Sequence, residues 1–304
     1  MTITALIPSY GRPDSLVRCL DALAAAELSP DEIIVVVRDT DTPNREVVDA
    51  WRLSHPSSGL KVVVVSEPGQ IAAMNAGLAV ASGDIICFPD DDCIPRPDWL
   101  RRLAAHYSDP AVVGAGGRDV VHVEGLPEPP TVARIGLLTW YGRIIGNHHC
   151  NVTGGPRPVQ HLKGVNMSFR RTLVPPLDGN IRGPHYNDTE LSLAVGRHGT
   201  LIFDPEAKVD HYPAPRVGSP GGRNLLDPKL AYLDAHDWMY MVHKHLRGAS
   251  RLAATLYILL MGTTLRPGLL YGALQPRKWS IVRAALRGAM DGITTAHRAR
   301  AATP

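Results

Sequence analysis

Ile85-Ile86-Cys87-Phe88-Pro89-Asp90-Asp91-Asp92-Cys93 is an apolar run that ends in three adjacent carboxylates. Like charges in a row repel one another, and at the mouth of a buried strand they are partly desolvated as well, so such a cluster calls for a counter-charge. A divalent cation supplies one. Carboxylate oxygens suit Mg²⁺ or Mn²⁺, and Mg²⁺ is commonly held by one or two carboxylates together with substrate phosphates. The alternative is a solvated acidic turn that caps a helix beginning at Pro97. What surrounds the stretch favours the first reading.

Working outward, residues 3–8 form a short apolar strand, broken by Ser9-Tyr10-Gly11-Arg12-Pro13, after which Leu16, Cys19, Leu20 and Leu23 recur at helical spacing. The pattern repeats with a β-branched strand over 32–37, a polar loop over 38–42 and a helix from Asn44 through Trp51. It repeats again with Lys61-Val62-Val63-Val64-Val65, a loop over 66–69 and an Ala-rich helix over 70–81. A fourth strand, 84–88, delivers the carboxylates. Strands apolar on both faces and alternating with helices predict a parallel sheet covered on both sides. Ligands of such sheets bind at the carboxyl ends of the strands, which is where loops 9–13 and 38–42 and the three aspartates lie. A dinucleotide site is disfavoured, because the first loop has one glycine and no GxGxxG. Gly114, Gly116 and Gly117 read as a bend or bulge after a strand.

The 304 residues are 44% hydrophobic and 20% charged, which predicts a globular protein with one large domain and an appendage. Net charge is +3, with arginine concentrated towards the C-terminus, so an acidic partner surface is expected there and nucleic acid is not. Cys19, Cys87, Cys93 and Cys150 show no CxxC pair and read as free thiols of a reducing compartment. The chain starts directly on strand-like sequence with no basic n-region, so a cytoplasmic location is expected and the Asn151-Val152-Thr153 sequon reads as accidental.

Over roughly residues 2–215 these elements resemble a family 2 glycosyltransferase of the GT-A type. Ile7-Pro8-Ser9-Tyr10 resembles its opening strand and nucleotide loop; Asn75-Ala76-Gly77, Ser82-Gly83-Asp84 and Phe88-Pro89-Asp90-Asp91-Asp92 resemble its helix and aspartate motifs, in order. The resemblance implies a mixed Rossmann-like α/β sheet flanked by helices, with a nucleotide-sugar-binding half over 1–118, an acceptor-binding half over 119–215 and a helical extension over 216–304. It assigns Pro8, Ser9, Tyr10, Arg12, Asp39, Asn75, Asp90 and Asp91 to the nucleotide sugar, and Asp92, Asp90 and His211 to the cation. Where the family commonly has adjacent aspartates after the second strand, this chain has Val37 and Arg38. Asp39 or Asp41 is then left to hold the base, whose identity stays open.

Lys163-Gly164-Val165-Asn166-Met167-Ser168-Phe169-Arg170-Arg171 resembles the strand beneath the donor sugar and its arginine-bearing turn. Asn187-Asp188-Thr189-Glu190-Leu191 opens a helix. Asp188 there reads either as an N-cap or, by the resemblance, as the catalytic base of an acidic pair whose first member is replaced by Asn187. The stretch ending Val209-Asp210-His211 reads as a last strand, with His211 as a polar terminus or, by the resemblance, a ligand that tilts selectivity to Mn²⁺. His148-His149-Cys150 reads as structural, since adjacent side chains point apart.

The implied activity is inverting transfer of a sugar from a nucleotide-diphosphate donor to the hydroxyl of a glycan or lipid-linked acceptor. A sugar-phosphate nucleotidyltransferase is one rival, but it should carry a Gly-rich basic phosphate loop. A non-catalytic binder of nucleotides or carbohydrate is another; it would need Asp90 and Asp92 but not Asp188.

Beyond residue 216 the α/β pattern stops. An apolar run over 252–265 and a second over 268–274 are too short to span a bilayer, which takes about 20 apolar residues. A buried hairpin, a homodimer interface and a monotopic anchor on the cytoplasmic face all fit. In the last of these, Arg247, Arg251, Arg266, Arg277, Lys278, Arg283 and Arg287 meet anionic headgroups.

Overall fold

Strands β1 (Ile3–Pro8), β2 (Glu32–Arg38) and β3 (Leu60–Val65) pair in parallel in the order β3-β2-β1, and β4 (Ile85–Cys87) runs parallel to β1 on its other side. Helices α1 (Pro13–Ala24), α2 (Thr42–Ser54) and α3 (Gln70–Val80) make the crossovers. In this computed structural model the described residues are 1–125, 127–213, 227–263 and 266–301. The residues expected on the core face of α1 are the ones it buries: Leu16, Cys19, Leu20 and Leu23. Alternation on the strands sorts the core into two layers. Ile3, Ala5, Ile7, Ile33, Val35 and Val37 face α1 and α2, while Leu6, Ile34 and Val36 face α3 through Met74.

Past the carboxylates come β5 (Cys93–Pro95), α4 (Trp99–His106), β6 (Val112–Val121), the short β7 (Leu137–Leu138) and β8 (Ile144–Ile145), β9 (Arg157–Val159) and β10 (Met167–Arg170). Helix α5 (Asn187–Val195) and β11 (Thr200–His211) follow. β10 inserts antiparallel between β4 and β6, and β11 runs parallel to β6 with β5 and β9 antiparallel on it. The result is a mixed α/β sheet flanked by helices. Its strand order reverses at β1, where β2 leaves to one side and β4 to the other, and this places a crevice at the carboxyl ends of β1 and β4.

Gly114, Gly116 and Gly117, expected as a bend or bulge, make no bend, but their pairing with β11 carries bulge-like register shifts. They lie inside β6, where neighbours come too near for a side chain: a Cβ on Gly117 would stand 1.8 Å from the Ala207 carbonyl oxygen, beside a register shift in β11. His148 is structural as expected, its Nε2 bonded to the His161 carbonyl oxygen at 3.0 Å.

The C-terminal helices are α6 (Pro228–His245), α7 (Gly248–Leu256), α8 (Leu269–Leu274) and α9 (Trp279–Ala301). A π-helical turn, Tyr257–Met261, continues α7. Positions 234–243 of α6 are all buried, as for a helix enclosed on every side. The chain forms two compact units that differ from the expected domains. One comprises Met1–Leu137, Gly146–Leu177 and Leu191–Ser219; the other comprises Leu138–Ile145, Asp178–Glu190 and Pro220–Pro304. The expected boundary between 215 and 216 lies outside the described residues, and the one between 118 and 119 falls within β6. Arg266 is not the headgroup-facing cation that the monotopic-anchor alternative requires. Its guanidinium lies 4.9 Å from the Tyr186 ring and 5.4 Å from the Trp238 ring, with Nε 3.6 Å from Asp234.

Candidate active site

In the first unit, the loops after β1, β2 and β4 meet through side-chain hydrogen bonds. Asp91 is the hub. It accepts from Ser9 Oγ at 2.6 Å and pairs with Arg12 Nη1 at 2.8 Å, and the same nitrogen reaches Asp92 at 3.2 Å. Asn44, which donates to Ser9 Oγ at 2.7 Å and accepts from the Arg12 amide at 3.0 Å, closes the network. Asp41 caps α2 and accepts from the Gly11 amide at 2.7 Å, so it holds the first loop. Asp91 and Asp92 are both buried, which rules out a solvated acidic turn.

Asp92 faces His211, with Nε2 3.4 Å from its carboxylate. The other ring nitrogen bonds Asp119 Oδ1 at 3.0 Å, and Asp119 is ion-paired with Lys163. A carboxylate behind the imidazole fixes its orientation, an arrangement usual behind metal-ligating histidines. Burial raises the Asp119 pKa, but His211 and Lys163 outweigh it and hold the group at about 2. Burial likewise works against the His211 charge, yet Asp119 and Asp92 lift it to about 9. Asp90 is half-buried and feels the charges of Asp92, Asp91, His211 and Asp119. Burial, followed by the charges of Asp92 and Asp91, pushes its pKa up to about 7. Among the described residues no group of three or more His, Cys, Asp or Glu side chains is gathered closely enough to hold a metal ion by itself.

The remaining sequence-assigned residues separate. Pro8 ends β1 opposite Val36, and Tyr10 is exposed with the Arg38 guanidinium 5.9 Å from its ring. Asp39 is exposed and paired with Arg38 at 3.8 Å, while its amide bonds the Val65 carbonyl. Asn75 uses both ends of its amide on the backbone of Leu177, at 2.7 and 3.1 Å, and so clamps that chain segment. Asn44, Asp119 and Lys163 were not singled out from the sequence. A lone carboxylate among the apolar residues of β6 is the one signal that Asp119 offered.

In the second unit, Asp188 occupies the second position of α5, half-buried, and its Oδ1 accepts from the Thr189 amide at 2.6 Å. It is therefore not the N-cap; the Tyr186 carbonyl accepts the first helical bond, from the Glu190 amide. Tyr186 has φ of 76°, rarely adopted by a bulky residue, and its buried hydroxyl has no hydrogen-bond partner among the described residues. The surroundings hold it there. Asp237 accepts from the amides of Arg182 and Gly183, and Asp234 pairs with His185 at 2.8 Å. Glu190 is engaged by Lys244 at 2.6 Å and His245 at 3.2 Å. Burial raises the Glu190 pKa, but these partners keep it below the usual range.

The model of the family described as "Glycosyl transferase family 2" matches residues 4–169, more than half of the chain. The chain belongs to glycosyl transferase family 2. Glycosyltransferase AglE of Haloferax volcanii is 28% identical over 116 residues, which cover 38% of this chain and 38% of that protein. Mannosyltransferase PcManGT from Pyrobaculum calidifontis, solved in complex with GDP-Man and Mn²⁺, superposes with a TM-score of 0.58 at 17% identity, covering 96% of this chain and 86% of that one. GalNAc-T7, solved with UDP, GalNAc and Mn²⁺, superposes with a TM-score of 0.65 at 15% identity, covering 100% of this chain and 58% of that one. At these identities the likeness is one of fold, and the family 2 chain has the GT-A architecture.

Proposed function

We propose that this family 2 protein is an inverting glycosyltransferase that moves a hexosyl or deoxyhexosyl group from a nucleotide-diphosphate sugar to a hydroxyl acceptor. The observation that carries the reading is the buried Asp91–Asp92–His211 cluster at the strand-order reversal, with Asp119 bonded behind the imidazole.

The donor set fits a hard divalent cation. Asp92 and Asp90 offer carboxylate oxygens, and His211 offers an imidazole already oriented by Asp119. The protein's donors are few, which suits a cation completed by substrate phosphates. When bound, such a cation supplies Lewis-acid stabilisation of the departing diphosphate. Arg12, held now by Asp91 and Asp92, adds a bidentate-capable positive group for the same phosphates. Asp188 takes the proton of the acceptor hydroxyl as its oxygen bonds to the anomeric carbon and the bond to the diphosphate oxygen breaks. Glu190 is a poorer base, since Lys244 and His245 occupy it. The strained Tyr186 backbone supports a functional role for this turn, because such strain persists only where the surroundings over-determine it.

The test is incubation with a panel of GDP- and UDP-sugars and glycan acceptors, with Mn²⁺ or after chelation. Metal-dependent release of nucleoside diphosphate, with a product of opposite anomeric configuration by NMR, is the expected result. Release of pyrophosphate from a nucleoside triphosphate and sugar phosphate would assign nucleotidyl transfer instead.

A further inference from the structure

Seven large apolar side chains on α7, its π-helical turn and α8 remain exposed. Leu252, Leu256 and Leu260 recur at every fourth position along α7 and the π-helical turn, and Met261 stands beside the last. Leu269, Leu270 and Leu274 belong to α8. The two helices are neighbours, since the Gly268 amide bonds the Met261 carbonyl at 3.2 Å and Gly262 bridges to Pro267. Each of the seven is 41–83% exposed, and together they are seven of the seventeen large exposed hydrophobics among the described residues. Apolar residues gathered this closely mark an interaction surface, whereas single exposed ones do not. Exposed Trp140 adjoins it: its ring lies 5.6 Å from Tyr141, which lies 5.1 Å from Tyr257 of the π-helical turn.

Charge decides what this surface meets. Between Asp237 and Asp291 the sequence has no Asp or Glu and eight Lys or Arg. Arg247 is exposed at the start of α7, Arg277 in the turn after α8, and Arg283 and Arg287 on α9. A second copy set face to face would oppose like charges. An anionic bilayer meets both the apolar ridge and the cations around it. Crossing the bilayer is excluded for these elements: residues 248–261 fall short of the roughly 20 required, and among the described residues no helix is long and apolar enough.

We propose that α7, its π-helical turn and α8 form a monotopic docking surface for bilayers rich in anionic lipid. The leucines enter the interface and the exposed arginines meet headgroups, with amphipathic Trp140 at headgroup level. This surface uses none of the residues of the carboxylate cluster, so the inference stands whether or not the proposed transfer reaction holds.

Full-length protein is floated with vesicles of phosphatidylcholine alone, or with about one third phosphatidylglycerol, at low salt and at about 1 M salt, where the Debye length is about 3 Å. Leu256→Asp/Leu270→Asp and Arg247→Ser/Arg277→Ser are compared with the wild type. All four residues are exposed, so both variants should keep the wild-type circular dichroism and melting temperature. The wild type is expected to float with the anionic vesicles, less so at high salt, with a blue shift in tryptophan fluorescence that Trp140→Phe removes. The leucine variant should lose affinity by about tenfold or more, and the arginine variant should lose the preference for anionic lipid. The proposal is overturned if the wild type stays soluble with every vesicle, or if the leucine variant floats equally well. It is also overturned if the ridge supports self-association without vesicle binding, which would assign it to a second copy.

Discussion

Asp90, Asp91 and Asp92 are consecutive, and each meets a different environment. Asp91 is employed by Ser9 and Arg12, Asp92 is shared between Arg12 and His211, and Asp90 has its pKa pushed up to about 7 by burial and by its two neighbours. Asp92→Ala is therefore expected to abolish the Mn²⁺-dependent part of nucleoside-diphosphate binding, read by calorimetry with and without the metal. Equal affinities for wild type and variant in both conditions would remove Asp92 from the cation site. Asp188→Asn separates the two proposed roles. It should leave donor binding and melting temperature unchanged while turnover falls by about 10²–10⁴, the usual share of a general base. A fall in melting temperature that accounts for the lost activity would make Asp188 structural.

At the scale of the element, the amino end of the sheet is tied by one carboxylate. Glu32, at the start of β2, accepts from Thr4 Oγ1 of β1 at 2.6 Å, from Lys61 of β3 at 2.5 Å, and from the amide and hydroxyl of Ser82 ahead of β4 at 2.9 Å each. Burial raises its pKa, but these donors bring it to about 2, from an ordinary 4.5. A depressed folded-state pKa contributes stability that is complete above about 4.5 and is lost as pH falls towards 2. Glu32→Gln should lower stability at neutral pH by about 2 kcal/mol and flatten the acid limb of melting temperature against pH in that window. An unchanged limb would show that other carboxylates set it. Gly77 of α3 makes a second such test. A Cβ there would stand 2.7 Å from Leu6 Cδ1 and 2.9 Å from Val36 Cγ2, both on fully buried residues. Alanine gains about 1 kcal/mol of helix propensity, and overpacking costs about 1–3. Gly77→Ala is thus expected to lower the urea midpoint; a rise would mean that the helix can shift outward at little cost.

At the scale of the whole molecule, the Asp188 turn is built with the C-terminal helices, since Asp178–Glu190 belongs to their compact unit. Asp234, Asp237, Lys244 and His245 of α6 all engage that segment. Asp237→Ala should therefore speed hydrogen exchange at the Arg182 and Gly183 amides. If Asp188 is the base, it should also lower turnover by about 10- to 100-fold through misplacement, with donor affinity unaffected. Unchanged exchange at those two amides would show that the turn orders itself.

The sequence alone determined the α/β class, the four leading strands, the buried face of α1 and the carboxylate cluster, because hydrophobic periodicity and strand–loop–helix order are local properties of a chain. It was also enough to place Asp188 at a helix start. Only the tertiary structure decided the partners. Asp119 and His211 are 92 positions apart and Arg12 and Asp91 are 79 apart, and no spacing rule spans such separations. The same holds for Gly117, whose need for a bare backbone comes from Ala207 on another strand, and for Arg266, a headgroup-facing cation in the monotopic-anchor reading, whose Nε lies 3.6 Å from Asp234. Periodicity shows which side of an element is buried; what it is buried against depends on contacts that form only when distant segments pack.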